Sequence, residues 1–143
     1  EHPRVNLVGY CICHHNAFAI RTLRAGARGF VDANASIDEL LRAVHAASSG
    51  AFYVSDATAE RVIADSLQQS DEPHARLSDR EFQIMLLLAR RKTIAEIASA
   101  LNVSPSTVST HRRHVLEKMA LGSGSELSRY AIEHGLITWE ALL

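Results

Sequence analysis

The sequence has no long apolar run: nowhere do about 18 apolar residues follow one another, as a membrane span requires. It also shows no signal-peptide pattern, so neither insertion nor export is expected. Cysteine is scarce. Cys11 and Cys13 stand too close for an ordinary stapling disulfide and are too few for a secreted scaffold, so a reducing, cytoplasmic setting is expected. No glycine-rich phosphate loop, nucleophile–base pair or convincing metal set stands out, and the chain reads as neither an enzyme nor a cofactor protein. Net charge is nearly absent too, at −1, which at first sight argues against a nucleic-acid partner.

What is present begins with apolar residues, 47% of the 143, enough for a real core and against disorder. The near-neutral total hides an asymmetry. Residues 1–75 carry six Lys/Arg against nine Asp/Glu, residues 76–143 carry nine against seven, and residues 90–118 carry six against two. Positive charge therefore gathers in one stretch of the second half. The chain opens on Glu1 without a methionine, and a fragment of a longer protein, or a removed N-terminus, is expected.

Residues 5–12 are apolar without clean alternation, which suits a strand buried on both faces. Residues 16–27 form a modest helix, with Ile20, Leu23 and Ala27 at helical spacing. Residues 29–32 are a second strand. Ser36 and Glu39 make a capping box. It opens a helix with Ile37, Leu40, Leu41, Val44 and Ser48 on one face, stopping at Gly50. Strand–helix–strand–helix is the grammar of a parallel α/β sheet. Residues 51–54 read as an apolar turn and 55–67 as a further helix. Two parallel strands cannot cover themselves, so either earlier strands upstream of Glu1, which the missing methionine favours, or packing against another copy is expected. The polar, proline-containing residues 68–76 read as a linker. The domains are then 1–67 and 77–143.

The second domain reads as all helical. Ser78 and Glu81 make a capping box with Leu77 as its hydrophobic staple, and the helix runs to about Arg91, burying Phe82, Met85, Leu86 and Ala89. Thr93 and Glu96 open a short helix carrying Ile94, Ile97, Ala98 and Leu101. Asn102 and Val103 make a turn. Ser104 caps the next helix, and Pro105 fits its first position. A final helix over 125–134 buries Leu127, Ala131 and Tyr130.

The helix over 104–119 has two unlike faces. Val108, Val115 and Met119 fall on one side; Ser106, Ser109, Thr110, Arg113 and Glu117 fall on the other. An apolar back and a front of small hydroxyls around one arginine suit a DNA major groove. Alone, this stretch equally fits a plain amphipathic surface helix. A short helix, a tight turn and this second helix together make a helix-turn-helix, with Ala95 and Ala98 small where the two must cross. The hydroxyls of Thr93, Ser104, Ser106 and Thr107 and the free N–H groups at the helix starts suit phosphate oxygens. Arg112 and Lys118 point to the flanks, where phosphate contact is expected, and His111 reads as half-buried and structural. Arg90, Arg91 and Lys92 fit backbone contact and a charge-complemented helix end equally. Cys11, Cys13, His14 and His15 have metal-ligand chemistry, but two free cysteines and two histidines near a strand end is the preferred reading.

These residues resemble a family. Leu77-Ser78-Asp79-Arg80-Glu81, Thr93-Ile94-Ala95-Glu96-Ile97-Ala98, Leu101-Asn102-Val103-Ser104, Thr107-Val108-Ser109-Thr110-His111 and Lys118-Met119 resemble the LuxR-type DNA-binding domain of NarL/FixJ response regulators. The resemblance covers nearly all of 76–140. The first half resembles only the end of that family's receiver domain: 5–11 its fourth strand, 22–30 its fourth helix and fifth strand, 36–50 its fifth helix. The strands that would carry the acidic pocket and the phosphorylatable aspartate are not in this chain.

The resemblance implies an α/β receiver remnant of two parallel strands with helices, then an all-α four-helix LuxR-type helix-turn-helix domain. It implies a DNA-binding transcription regulator, with Arg113 reading base edges between Ser109 and Thr110. The expected DNA-contacting set is Thr93, Ser106, Thr107, Ser109, Thr110, Arg112, Arg113 and Lys118. Expected partners are double-stranded DNA and a second copy, with RNA polymerase and a sensor kinase implied by the family; no membrane, metal or cofactor is expected. Residues 125–134 are implied as the contact between DNA-bound domains, with 16–27 and 36–49 as a second contact. Two departures stand out. The family's switch Ser/Thr falls on Cys11 and its lysine on Ala33, so the receiver reads as degenerate: alanine offers no ammonium for an acyl phosphate, and a thiol is a weak donor. The alternative is a regulator acting mainly through protein contacts of its receiver remnant.

Overall fold

The computed structural model describes residues 5–11, 16–68 and 71–142. The chain divides into two compact units, Glu1–Ser70 and Asp71–Leu143. No described helix is long and apolar enough to cross a membrane.

The first unit runs β1 (Val8–Cys11), α1 (Asn16–Arg24), β2 (Gly29–Asp32), α2 (Ile37–Ser48), β3 (Tyr53–Val54) and α3 (Asp56–Gln68). Its sheet has the order β1-β2-β3 and is parallel throughout. The register sets Val8 against Gly29, Cys11 against Asp32, and Gly29 and Phe30 against Tyr53 and Val54. The central strand carries the core of this unit, with Phe30 and Val31 buried. Helix α1 lies so close to β1 that a Cβ on Gly9 would stand 2.5 Å from Thr22 Cγ2. Gly26, with φ at 101°, takes the left-handed turn after α1 that other residues resist.

Four expectations for this unit are corrected. Residues 51–54 are not merely a turn, since Tyr53–Val54 form a third strand. Its two residues are too few for any local pattern; pairing with β2, including Tyr53 N–H to the Arg28 carbonyl at 2.9 Å, defines it. The first strand is not buried on both faces: Val5, Leu7 and Tyr10 are exposed, and β1 is an edge of the described sheet. Helix α1 ends at Arg24, ahead of Gly26. Helix α2 buries not its large apolar stripe but Ala43 and Ala47, leaving Ile37, Leu41 and Val44 exposed. The two alanines are the buried residues of a helix that packs on the sheet.

The second unit begins with a 3-10 turn at Pro73–Arg76 and continues through α4 (Asp79–Ala89), α5 (Ile94–Leu101), α6 (Pro105–Met119) and α7 (Gly124–Glu133) to a 3-10 turn at Trp139–Leu142. The stretch expected as linker over 68–76 is thus partly structured. His74 is buried there, with Nδ1 2.8 Å from the Tyr130 hydroxyl and Nε2 3.1 Å from Glu72. Helix α4 packs on both α6 and α7, and α5 packs on α6. Ile84, Ile97, Ala98 and Val108 form a buried cluster edged by Leu87, Leu88, Ile94, Leu101 and Val103. Of the two alanines expected at the crossing, Ala98 is buried and Ala95 is exposed. Leu86 is only half-buried; the neighbours Ile84 and Met85 carry that part of the core instead. The Ser128 hydroxyl donates to the Ala89 carbonyl at 2.8 Å, satisfying an orphan acceptor at the end of α4.

Candidate nucleic-acid interface

Helix α6 is fixed from its two ends and its back. The Ser104 hydroxyl accepts from Thr107 N–H at 3.2 Å, Pro105 takes the first turn, and Ala120 closes the far end in the left-handed conformation, φ 53°. Val108, Val115 and Met119 are buried beneath. The approach from α5 is equally defined. Asn102 makes the left-handed corner at φ 52° and ψ 49°, a conformation its short polar side chain tolerates, and Val103 N–H reaches back to the Ala98 carbonyl at 3.0 Å. The Arg80 guanidinium donates to the Leu101 carbonyl at 3.2 Å, so α4 holds the end of α5.

The outward face of α6 carries Ser106, Ser109, Thr110, Arg112, Arg113 and Glu117, all exposed. Ser109, Arg112 and Arg113 share one groove, of about 590 Å³. Arg112 also lines a second groove, with Arg91, Lys92 and Thr93, that reaches the start of α7 at Gly124 and Ser125. Neither Arg112 nor Arg113 has a hydrogen-bond or ion-pair partner among the described residues. Two guanidiniums are therefore free to meet anionic oxygens or base edges.

The hydroxyls differ in what they still have to offer. Ser104, Ser106 and Thr107 form a small network, with the Ser104 oxygen 2.8 Å from each of the other two. The Thr110 hydroxyl donates to the Ser106 carbonyl at 3.1 Å, leaving its oxygen to accept. The Thr93 hydroxyl donates to Glu96 Oε2 at 2.8 Å and accepts from Glu96 N–H, so it serves the cap of α5. Lys118 lies apart from the outward face: its ammonium is 2.7 Å from Glu81 Oε2.

Sequence reasoning took Glu81 for a capping residue alone. It is also a buried strut between helices. Its Oε2 accepts from Ser78 N–H at 2.8 Å and from Lys118. The Lys118 ammonium, opposed by burial and aided by the Ser78 N–H, holds the Glu81 carboxyl at about 2. The legible signal lay on the other helix. His111, His114 and Lys118 stand at i, i+3 and i+7, one polar stripe beside the apolar back of α6.

The comparisons fit this geometry. Residues 75–131 match the family described as bacterial regulatory proteins, luxR family. The response regulator GacA of Pseudomonas protegens is 34% identical over 138 residues, covering 96% of this chain and 65% of the relative. The response regulator UvrY of Escherichia coli K12 is 30% identical over 140 residues, covering 96% of this chain and 64% of the relative. The chain thus spans somewhat less than two thirds of these relatives. Among solved structures, RcsB of Salmonella typhimurium shares the fold at a TM-score of 0.70, with 21% identity over 94% of this chain and 62% of that one. RcsB of Salmonella enterica serovar Typhimurium, bound to the rprA promoter with the phosphomimetic BeF3-, gives 0.63 with 20% identity, over 90% of this chain and 60% of that one. Residues 75–131 thus form a domain of the luxR family of bacterial regulatory proteins, and the chain as a whole, an α/β unit followed by a helix-turn-helix, is similar to response regulators.

Proposed function

We propose that the chain is a sequence-specific, non-enzymatic DNA-binding regulator of transcription that works in the cytoplasm as a dimer. The observation that carries this is Arg113: exposed, unpaired among the described residues, and set mid-face on a helix fixed at both ends. In this reading α6 enters the major groove, Arg113 reads a base edge, and Ser109 and Thr110 read beside it or through water. Ser106, Thr107, Arg112, Lys118 and the start of α5 at Thr93 meet phosphates, Lys118 by leaving or sharing Glu81. One short helix reads few bases, so pairing of two copies through α7 supplies the rest. RNA polymerase and a sensor kinase acting on the receiver are the remaining proposed partners.

A gel shift with a salt titration tests the core of this. Specific binding whose affinity falls steeply with salt is expected. Arg113→Ala is expected to cost about 1–3 kcal/mol of binding and to relax preference at one base position. An equal loss on every sequence would make Arg113 a phosphate contact instead.

The receiver is proposed as atypical. Cys11 and Ala33 are neighbours at the ends of β1 and β2, joined by Ala33 N–H to the Cys11 carbonyl at 2.8 Å. The two switch positions therefore lack both hydroxyl and ammonium side by side. Incubation of the full-length protein with acetyl phosphate is expected to leave its intact mass and DNA affinity unchanged; a phosphorylated species with tighter DNA binding would overturn this.

A second reading, a regulator acting mainly through protein contacts of its first unit, draws on exposed Ile37, Leu41 and Val44 along α2. It is favoured if the gel shift shows no sequence preference at any salt concentration.

A further inference from the structure

We infer that Glu81, His111 and His114 form a binding site for a divalent metal ion, zinc by ligand chemistry, that ties the recognition helix α6 to α4. One ligand atom from each of the three lies within 4.8 Å of the other two. The histidines come from successive turns of α6, and the carboxylate comes from the first turn of α4, so the site joins two elements rather than decorating one. Their rings stand nearly perpendicular, with centroids 6.5 Å apart, so they do not stack and each can turn an edge towards a common point.

Three features set this cluster apart from a chance grouping. The Glu81 oxygens are divided: Oε2 holds Ser78 N–H and Lys118, while Oε1 faces His114 Nδ1 at 3.9 Å. The carboxylate can therefore give one oxygen to a metal without surrendering the cap or the lysine. His111 Nδ1 is buried and has no hydrogen-bond partner among the described residues. A nitrogen so placed gains from an electron-pair acceptor, since a buried polar atom without a partner is costly. Glu81 itself is buried among otherwise apolar residues of α4, where a second cationic partner would strengthen its electrostatics.

The donor set decides the ion. Two imidazoles and one carboxylate match the three-protein-ligand sets of zinc, which leave a fourth position for water. Tetrahedral zinc holds its nitrogen and oxygen ligands about 3.3 Å apart, so from a spacing within 4.8 Å closure draws each pair of ligand atoms together by no more than about 1.5 Å. Harder ions that favour all-oxygen shells are disfavoured by the imidazoles. The Lys118 ammonium lies on the far oxygen and lowers affinity without blocking the site. The residues lie behind the outward face, so occupancy would stiffen the mount of α6 and leave Arg113 exposed.

The test is titration of the metal-free full-length protein with cobalt(II), followed by displacement with zinc. Four-coordinate cobalt absorbs visibly, and a thiolate ligand adds a near-ultraviolet band that a nitrogen–oxygen site lacks. Expected are one equivalent bound, no thiolate band, and reversal by zinc. His114→Gln and His111→Gln should each weaken binding at least about tenfold, as loss of a metal partner does. A Cys11→Ser/Cys13→Ser double variant should bind as the parent does. His114 is half-exposed, so His114→Gln keeps the test valid if the His111 variant fails to fold. Absence of binding, binding unchanged in His114→Gln, or binding lost in the double cysteine variant would overturn the inference.

Discussion

An Ile97→Ala protein is expected to lose about 2–5 kcal/mol of stability in its helical unit, the range for deleting a buried isoleucine down to its Cβ. Ile97 is fully buried in the cluster with Ile84, Ala98 and Val108, which contribute from α4, α5 and α6. A cavity there has helices on every side, each held by its own caps, so collapse is limited and the cost falls in the upper part of that range. The same cavity lies between α5 and α6, so DNA affinity should fall along with stability. Urea unfolding followed separately for each unit measures the effect, because two units need not melt in one transition. Ile63→Ala, at an exposed position of α3, is the control, expected to fall within about 0.5 kcal/mol of the parent. An Ile97→Ala protein as stable as that control would refute the packing described.

Glu81→Ala should cost about 2–4 kcal/mol. One part is the reciprocal arm of the capping box on α4, for which side-chain caps contribute about 0.5–2 kcal/mol. The other is the bond from Lys118, a charge-assisted contact of the kind that contributes about 1.5–3 kcal/mol. Lys118 is 44% exposed, so water takes up its ammonium once the partner is gone, and the two parts do not add in full. Glu81→Gln keeps an acceptor for Ser78 N–H and loses the ionic bond, and is expected to cost about half as much. A double-mutant cycle with Lys118→Met separates the parts. A coupling near zero would show that the lysine contributes nothing to holding α6 on α4.

How far the fold was legible depended on where the deciding interactions lie. The helix-turn-helix could be read because its boundaries are local: Thr93 with Glu96, Ser104 with Pro105, and Ser78 with Glu81 each announce a helix within four residues, and the structure places all three caps there. Val108, Val115 and Met119 were legible for the same reason, since one helical period separates them from the polar face. The first unit was read less well. Tyr53–Val54 is a strand only because β2 lies beside it. In α2, periodicity found the apolar stripe of Ile37, Leu41 and Val44 but could not say that the helix would turn its small Ala43 and Ala47 to the sheet. Hydrophobicity ranks residues by transfer energy, whereas close packing of helix on strand selects for small ones. In the interface, the outward arginines were legible as a helical face. The engagement of Lys118 by Glu81 was not, because the two are far apart in sequence; the Thr93–Glu96 pair was legible as a cap, but not that the Thr93 hydroxyl also donates to the carboxylate.

The two fixed ends of α6 bear on the thermodynamics of DNA recognition. A helix already closed by Ser104 and Pro105 at one end and by Ala120 at the other has little conformational entropy left to lose when it meets a groove. Proteins that fold on their targets show a large negative heat-capacity change on binding, because ordering buries surface away from the contact itself. In the proposed mode of binding α6 is formed in advance, so docking it should carry a modest heat-capacity signature. Discrimination between sites would then rest on the fit of a preformed surface.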